Sequence, residues 1–534
     1  MIKCEIIHAS LEAPPRYVAI SYAWGDAGNT RKIELEGSLV PVGVSLYGAL
    51  EALRQRVESV LVDERTQQVQ LMTNKYSTAE SVAIWLGPEA DNSALAVDLL
   101  RVVADQAESP DKVSHLMSSR VGKPDMAAVV SLFERDYWRR LWVVQEIFNA
   151  KLITVHCGST KLQWRVYQRA SDTFSRHRAD LDYYFRIGQG YSRRHTISPN
   201  QFQFSHSQVL VYQGPGSLPN LRSCMRLREG SLLEVLRACR WKLASDAKDK
   251  LYGILGDLPE EIRNEFRADY GPSVKDVYTG VVEYLLKTTE CLDVICDAIH
   301  FPVHIGSANL PSYVPDWSHI PQTAAMGHKY NFSAAGVTKS KCRFLDERLN
   351  KLEISAIYLD TIDISGIAVG TLCTLADYLM AFLHWMALLL ASLDNQTQEY
   401  SLKIQNDFCR TISLDQRLPH MPLNKKLRDY VNARVDIKFE DRRQFLQKHF
   451  GDMMMGRCFC ITKEKRVGMG TGFMVTNDIV IMPLGCSTPV LLRQEGAHGE
   501  YRFVGDIYIH GYMRGKAIDQ LTEGKREVRK YVLH

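Results

Sequence analysis

The chain has 534 residues, 46% of them hydrophobic and 24% charged, which is the balance of a globular protein with room for more than one buried core. With 65 Lys and Arg against 61 Asp and Glu, the formal charge is +4, too small to make nucleic acid or an anionic membrane the expected partner. The 12 cysteines lack the close spacing of a disulfide framework, and Met1–Ser10 has no basic stretch leading into an apolar one, so reduced thiols and a cytoplasmic location are expected.

Tyr17–Tyr22 is a short apolar run closed by a turn with Gly and Asp, as in a buried strand. Lys32–Val42 alternates on either side of Gly37 and predicts a hairpin. Ser45–Arg56 carries Leu46, Leu50 and Leu53 at helical spacing, with Ser45 as the capping residue. A second helix is expected over Asp63–Ala79, where Val69, Met72, Tyr76 and Ala79 form one stripe. A strand over Ser81–Leu86, a helix over Asn92–Asp105, a charged loop, a helix over Trp138–Ala150 and a strand over Leu152–Cys157 follow. Strands separated by helices predict a mainly parallel sheet covered on both faces.

Arg165–Leu227 has no clear period and reads as insert or loop. Ser231–Leu393 reads as mostly helical. Within it, Tyr378–Leu393 is apolar apart from His384 and Ser392, but it is shorter than the roughly 20 residues a bilayer-spanning helix needs; a buried core helix is expected. Asp394–Arg457 is polar with weak helical character. Cys458–Tyr512 returns to short alternating strands between glycine turns, which predicts a small antiparallel β module. The expected organisation is therefore 1–160, 161–230, 231–393, 394–457 and 458–534.

Several stretches resemble the fungal heterokaryon incompatibility (HET) family. Tyr17-Val18-Ala19-Ile20-Ser21-Tyr22-Ala23-Trp24-Gly25-Asp26 resembles its opening block. Glu64-Arg65, Gln68-Val69, Met72, Tyr76 and Ala79, running on into Ile84-Trp85-Leu86-Gly87, resemble the next. Tyr137-Trp138-Arg139-Arg140-Leu141-Trp142-Val143-Val144-Gln145-Glu146-Ile147 resembles the third. Asp246–Gly253, Leu310–Ser318, Pro489–Arg493 and Val504–Gly511 resemble segments of the family's C-terminal regions. The order and number of these blocks make the resemblance specific, and it touches most of the chain. One departure stands out: a strand and polar loop usual before the Glu-Arg helix are missing near 57–63. Either this copy is degenerate or a splice junction is misplaced, and in both cases the central sheet is expected to be incomplete.

The resemblance implies a distantly TIR-like α/β domain acting in nonself recognition and regulated cell death. It would work by self-assembly through the HET domain, giving a homo-oligomer, or by binding an incompatibility partner protein. It also implies a rival reading, because some TIR domains hydrolyse NAD with a Glu four positions after a Trp. Trp142 and Glu146 have that spacing, which places them on one helical face. A carboxylate suits glycosidic cleavage because it stabilises an oxocarbenium-like cation.

The loop Tyr22–Asp26, at the C-terminal end of the first strand and next to Ser21, a further candidate for substrate binding, lies where open α/β sheets hold ligands. Tyr22 or Trp24 would stack on a ring, and Gly25 would allow close backbone approach. NAD enters only as a candidate substrate, and no cofactor or metal is expected. The structural alternatives are an ion pair for Glu146 and core packing for Trp24 and Trp142. A degenerate, inactive family member is the third reading. Among the remaining motifs, Gly468–Gly472 reads as a β turn, Cys458 and Cys460 as separate core thiols on a strand, and Asp246, Lys248, Asp249 and Lys250 as a solvated helix start.

Overall fold

A computed structural model of the chain describes residues 2–7, 14–26, 28–54, 60–61, 72–178, 180–181, 184–185, 206–224, 231–299, 308–319, 323–369, 375–392, 403–404, 407–408, 410–415, 454–495 and 499–534. It forms two compact units, Met1–Tyr270 and Gly271–His534.

The first unit runs β1 Lys3–Cys4, β2 Val18–Tyr22, β3 Thr30–Leu35, β4 Ser38–Gly43, α1 Val44–Leu53, β5 Val60–Leu61, α2 Met72–Thr78, β6 Ser81–Trp85, α3 Ser93–Gln106, α4 Pro110–Arg120, α5 Pro124–Phe133, α6 Val143–Phe148, β7 Ile153–Cys157, β8 Thr160–Gln163, α7 Trp164–Arg176, α8 His206–Tyr212, α9 Ser231–Cys239 and α10 Asp249–Leu255. Its main sheet has the order β5-β2-β6-β7-β8. The β5–β2, β2–β6 and β6–β7 pairs are parallel and only β7–β8 is antiparallel. The α/β class and mainly parallel sheet are as expected. At the place of the expected gap, Val60 and Leu61 form β5, paired with Val18 and Ala19; the residues on either side, 55–59 and 62–71, lie outside the described residues. The hairpin around Gly37 also forms, but it joins β1 in a separate sheet.

Alternation decides which side of the main sheet each residue serves. Ile20, Tyr22, Ala83 and Trp85 pack with Ala49 and Leu53 of α1. Ala19, Val82 and Ile84 face the larger core, shared with Met72 and Tyr76 of α2 and with buried residues of α3, α5 and α7. Both faces are thus covered.

Several expected elements differ. The helix over Asp63–Ala79 is described only as Met72–Thr78; Val69 lies outside the described residues. Ser45 is inside α1, whose N-cap position is Gly43 without a side-chain cap. The charged loop after α3 contains α4 and α5, each opening with Pro in its first turn, where the missing N–H costs nothing. The helix expected over Trp138–Ala150 is a 3-10 turn at Asp136–Arg139 followed, after a break, by α6. The break is held open by backbone pairing: Leu243 N–H donates to Arg139 O at 2.6 Å and Leu141 N–H to Leu243 O at 2.9 Å, so these groups are not available to a helical ladder.

The stretch Arg165–Leu227 is not irregular throughout. It contains most of α7, with Tyr167, Ala170, Ser171, Thr173 and Phe174 buried, and α8; residues 186–205 lie outside the description. Asp246–Lys250 is not a solvated helix start either. Asp249 and Lys250 are buried, and Lys250 Nζ donates to the carbonyls of Arg240 and Lys242.

The second unit is built on a nine-stranded sheet, comprising β9 Cys342–Phe344, β10 Leu352–Ser365, β11 Arg457–Thr462, β12 Val467–Thr471, β13 Ile479–Pro483, β14 Val490–Glu495, β15 Glu500–Asp506, β16 Tyr508–Ile509 and β17 Val528–Leu533. The C-terminal β module therefore forms, with β15–β17 as its one parallel pair among the described strands. It extends upstream into the segment read as mostly helical, because the 14-residue β10 pairs with β9, β11, β13 and β17. Gly468 and Gly470 lie on β12 rather than in a turn. A Cβ at Gly468 would meet Tyr508 O and Ile509 Cδ1 at 2.8 Å, so the glycine permits close strand approach.

Cys458 and Cys460 are buried on β11, and Arg457 beside them forms a buried ion pair with Asp506 at 2.8 Å. The helix Leu375–Ser392 buries Ala381, Phe382, Trp385 and Leu389 in a core. Among the described residues no helix is long and apolar enough to cross a membrane. Residues 416–453, most of the polar linker, lie outside the description.

Truncating Phe174 tests whether α7 is integral to the first core. Phe174→Ala is expected to lower unfolding free energy by about 3–5 kcal/mol, whereas the exposed Arg169→Ala changes it by about 0.5 kcal/mol or less. Urea titration followed by tryptophan fluorescence measures both.

Candidate functional site

The side chain of Ser21 leaves β2 on the face opposite α1. There its hydroxyl donates to Glu146 Oε2 and shares a 2.6 Å hydrogen bond with the Tyr137 hydroxyl. Glu146, on α6, is 3% exposed, so hydrogen bonding offsets the cost of enclosing its polar head. Burial, and then the nearby Glu146 charge, push the Tyr137 hydroxyl well above its ordinary range; it stays a neutral phenol able to donate. Arg140 Nη1 donates to the carbonyl of Tyr22, tying the same break before α6 to the end of β2.

Trp142 stands just before α6. Glu146 N–H donates to Trp142 O at 3.2 Å, so the one-turn relation holds along the backbone. The side chains nevertheless have different partners. The Trp142 indole donates to Asp249, which also accepts from the Tyr270 hydroxyl at 2.6 Å. Burial raises the Asp249 carboxyl above its usual range, and these hydrogen bonds pull it back.

Tyr22 and Trp24 leave β2 and its following loop on the α1 face, with their rings stacked at 6.4 Å and 8° between planes. Trp24, Gly25 and Asp26 line a cleft of about 650 Å³ together with one side of α1, Arg31, Trp85 and Glu89. Gly25 has φ +72°, the left-handed conformation that favours glycine. The expected residues thus fall into three places. Ser21 meets Glu146 beneath the sheet's end, Trp24 to Asp26 border the open cleft with Tyr22 stacked on Trp24, and Trp142 packs toward α10. Neither Glu146 nor Trp142 lines the cleft.

Sequence reasoning did not single out the polar residues behind α6. Lys242 is 2% exposed and donates to Trp138 O at 2.6 Å and Ser217 Oγ at 2.7 Å; burial lowers its pKa to about 7. Burial raises Asp257 to about 7, against a hydrogen bond from Asn149 at 2.8 Å. Its Oδ2 and the Gln145 side-chain amide have no partner among the described residues. The pairing of Tyr137 with Ser21 had no local signal, since the two lie 116 residues apart. Among the described residues no group of three or more His, Cys, Asp or Glu could hold a metal ion.

Residues 17–146 match the family model described as Heterokaryon incompatibility protein (HET). The chain is also similar to heterokaryon incompatibility protein 6, OR allele, of Neurospora crassa, at 21% identity over 652 aligned residues that cover 97% of this chain and 92% of the relative. No solved structure matches.

Two outcomes follow for this region. Ser21→Ala removes a donor from a buried carboxylate and is expected to cost about 1–3 kcal/mol, read by chemical denaturation at pH 7. Asp257 holds its proton to about pH 7 when folded, against an ordinary value of 3.8. Its contribution to stability is therefore complete below about pH 4 and is lost as pH rises through 7. Asp257→Asn should accordingly match wild type at pH 4 and have the higher Tm at pH 8; a gap that does not grow with pH would refute the assignment.

Proposed function

Because the chain is a HET-domain protein, we propose that it acts in heterokaryon incompatibility by promoting regulated cell death through contact, with copies of itself or with an incompatibility partner, rather than by chemistry of its own. The observation that carries this reading is the position of Glu146. It is 3% exposed, bonded to Ser21, and absent from the lining of the cleft that opens by Trp24. A carboxylate placed this way acts as a tie between α6 and β2. The similarity along nearly the whole length of an incompatibility protein supports the setting.

A second reading is an NAD(P) glycohydrolase of TIR type, activated by assembly. It is favoured by one feature: a roomy cleft bordered by Trp24, Gly25 and Asp26 at the C-terminal end of a parallel strand, the usual place for ligands. In that reading assembly would have to bring Glu146 to the dinucleotide, where its charge would stabilise the cationic transition state. The gap in the family pattern near 57–63 would also suit a degenerate, inactive copy.

Expression in a fungal host together with nicotinamide release from NAD by purified, oligomerised protein separates the three. Contact signalling predicts killing without release, and killing retained in a folded Glu146→Gln variant. Release that Glu146→Gln abolishes, at unchanged secondary structure, would establish the glycohydrolase instead. Neither killing nor release would mark an inactive copy.

A further inference from the structure

The second unit brings two thiols into contact. Cys296 lies in the 3-10 turn Asp293–Asp297, shortly after the helix Val274–Thr289, and Cys486 lies in the turn that follows β13. Both are free and 2% exposed, and their Sγ atoms stand 3.6 Å apart. The two segments are tied to each other beside that contact. Leu292 N–H donates to Gly485 O at 2.8 Å, and Ser487 N–H donates to Asp293 Oδ1 at 2.7 Å. The backbones that carry the two sulfurs are therefore already fixed side by side.

A disulfide sets its sulfurs about 2.0 Å apart, so the contact has to close by roughly 1.6 Å, shared between two side chains. The thiols are protonated at rest. The hydrogen bond with Cys486 pulls the Cys296 thiol down, but burial and the Asp506 and Asp293 charges outweigh it and leave it raised. The hydrogen bond with Cys296, and then burial, hold the Cys486 thiol well above its ordinary range. The thiolate is the reacting form, so the pair resists casual oxidation and reacts faster as pH rises. Cys291, nearby and half-buried, is likewise pushed up to about 12 by burial, which leaves it no advantage as a competing nucleophile.

We propose that Cys296 and Cys486 form a redox-sensitive modification site, which hydrogen peroxide converts into a disulfide that staples the second unit. Peroxide is small enough to reach the pair through local opening. One thiol takes an oxygen atom from peroxide, giving a sulfenic acid and one water. The second sulfur then displaces the sulfenic hydroxyl, which leaves with the second thiol's proton as another water. Two thiols and one peroxide become one disulfide and two waters; sulfur is oxidised and peroxide oxygen reduced. The bond joins residues 190 positions apart, and a link across so long a loop removes much of the freedom of the unfolded chain. Oxidation therefore stabilises the second unit, and a thiol reductant reverses it. This goes beyond the contact-signalling reading and does not depend on it.

The test uses the full reduced chain, treated with hydrogen peroxide at pH 7 and pH 8.5 and then alkylated with N-ethylmaleimide. Cleavage before Asp293 separates Cys291 from Cys296, and mass spectrometry identifies the joined peptides. The expected result is a Cys296–Cys486 link that forms faster at the higher pH and is undone by dithiothreitol. Peroxide should also raise the melting temperature of the second unit by about 5–10 °C. Cys291→Ser should keep that rise and Cys486→Ser should lose it, each compared with its own reduced form. The peptide map of the wild type stands even where Cys486→Ser fails to fold. Cys296 and Cys486 both still alkylated after peroxide treatment, a link to Cys291 or to a second chain in place of this one, or a link that leaves the melting temperature unchanged would each overturn the proposal.

Discussion

Strand β2 has only two sides, and the first unit is organised by which residue goes to which. Its odd-numbered members, Ala19 and Ser21, serve the large core and the contact with α6, while Ile20 and Tyr22 serve α1. A shift of one position would carry the Ser21 hydroxyl into an apolar cluster and Tyr22 toward Glu146. The apolar neighbours on both faces prevent that slip, because each face would expose or crowd its partners. The placement of Glu146 beneath the sheet, and of Trp24 beside the open cleft, follows from this single alternation.

The polar residues behind α6 solve a second problem. The chain breaks between the 3-10 turn at Asp136–Arg139 and α6, and a break in a buried region leaves carbonyls without helical partners. Lys242 takes up Trp138 O, Leu243 takes up Arg139 O, and Lys250 in turn holds the carbonyls of Arg240 and Lys242. Buried lysines are costly unless they are paired this way. The Asp246–Gly253 motif is thus part of the support for the Trp142–Glu146 block, although about a hundred residues separate the two in the chain.

Local pattern was enough for the strands at Val18–Tyr22, Ser81–Trp85 and Ile153–Cys157, for α3, and for the C-terminal strands, since period and turn residues are carried by neighbours in the sequence. It was not enough for α4 and α5, whose charged outer faces concealed an apolar side, even though Pro110 and Pro124 stood at helix starts. Nor was it enough for α7, where Arg and Gln on the solvent side diluted the buried stripe of Tyr167, Ala170 and Phe174. In the second unit, β10 took its strand conformation among the four strands it pairs with.

By itself the sequence determined the α/β character of the first 160 residues, the presence of the terminal β module, and the order of blocks that marks the family. Those properties reside in short-range periodicity and in residue identity, which folding does not alter. Only the tertiary structure decided that Ser21 and Tyr137 meet beside Glu146, that the Trp142 indole turns instead to Asp249, and that Trp24 borders a cleft from which Glu146 is absent. Each of these depends on contacts between segments about a hundred or more residues apart. Packing of the two sheet faces, rather than any local preference, sets such distances.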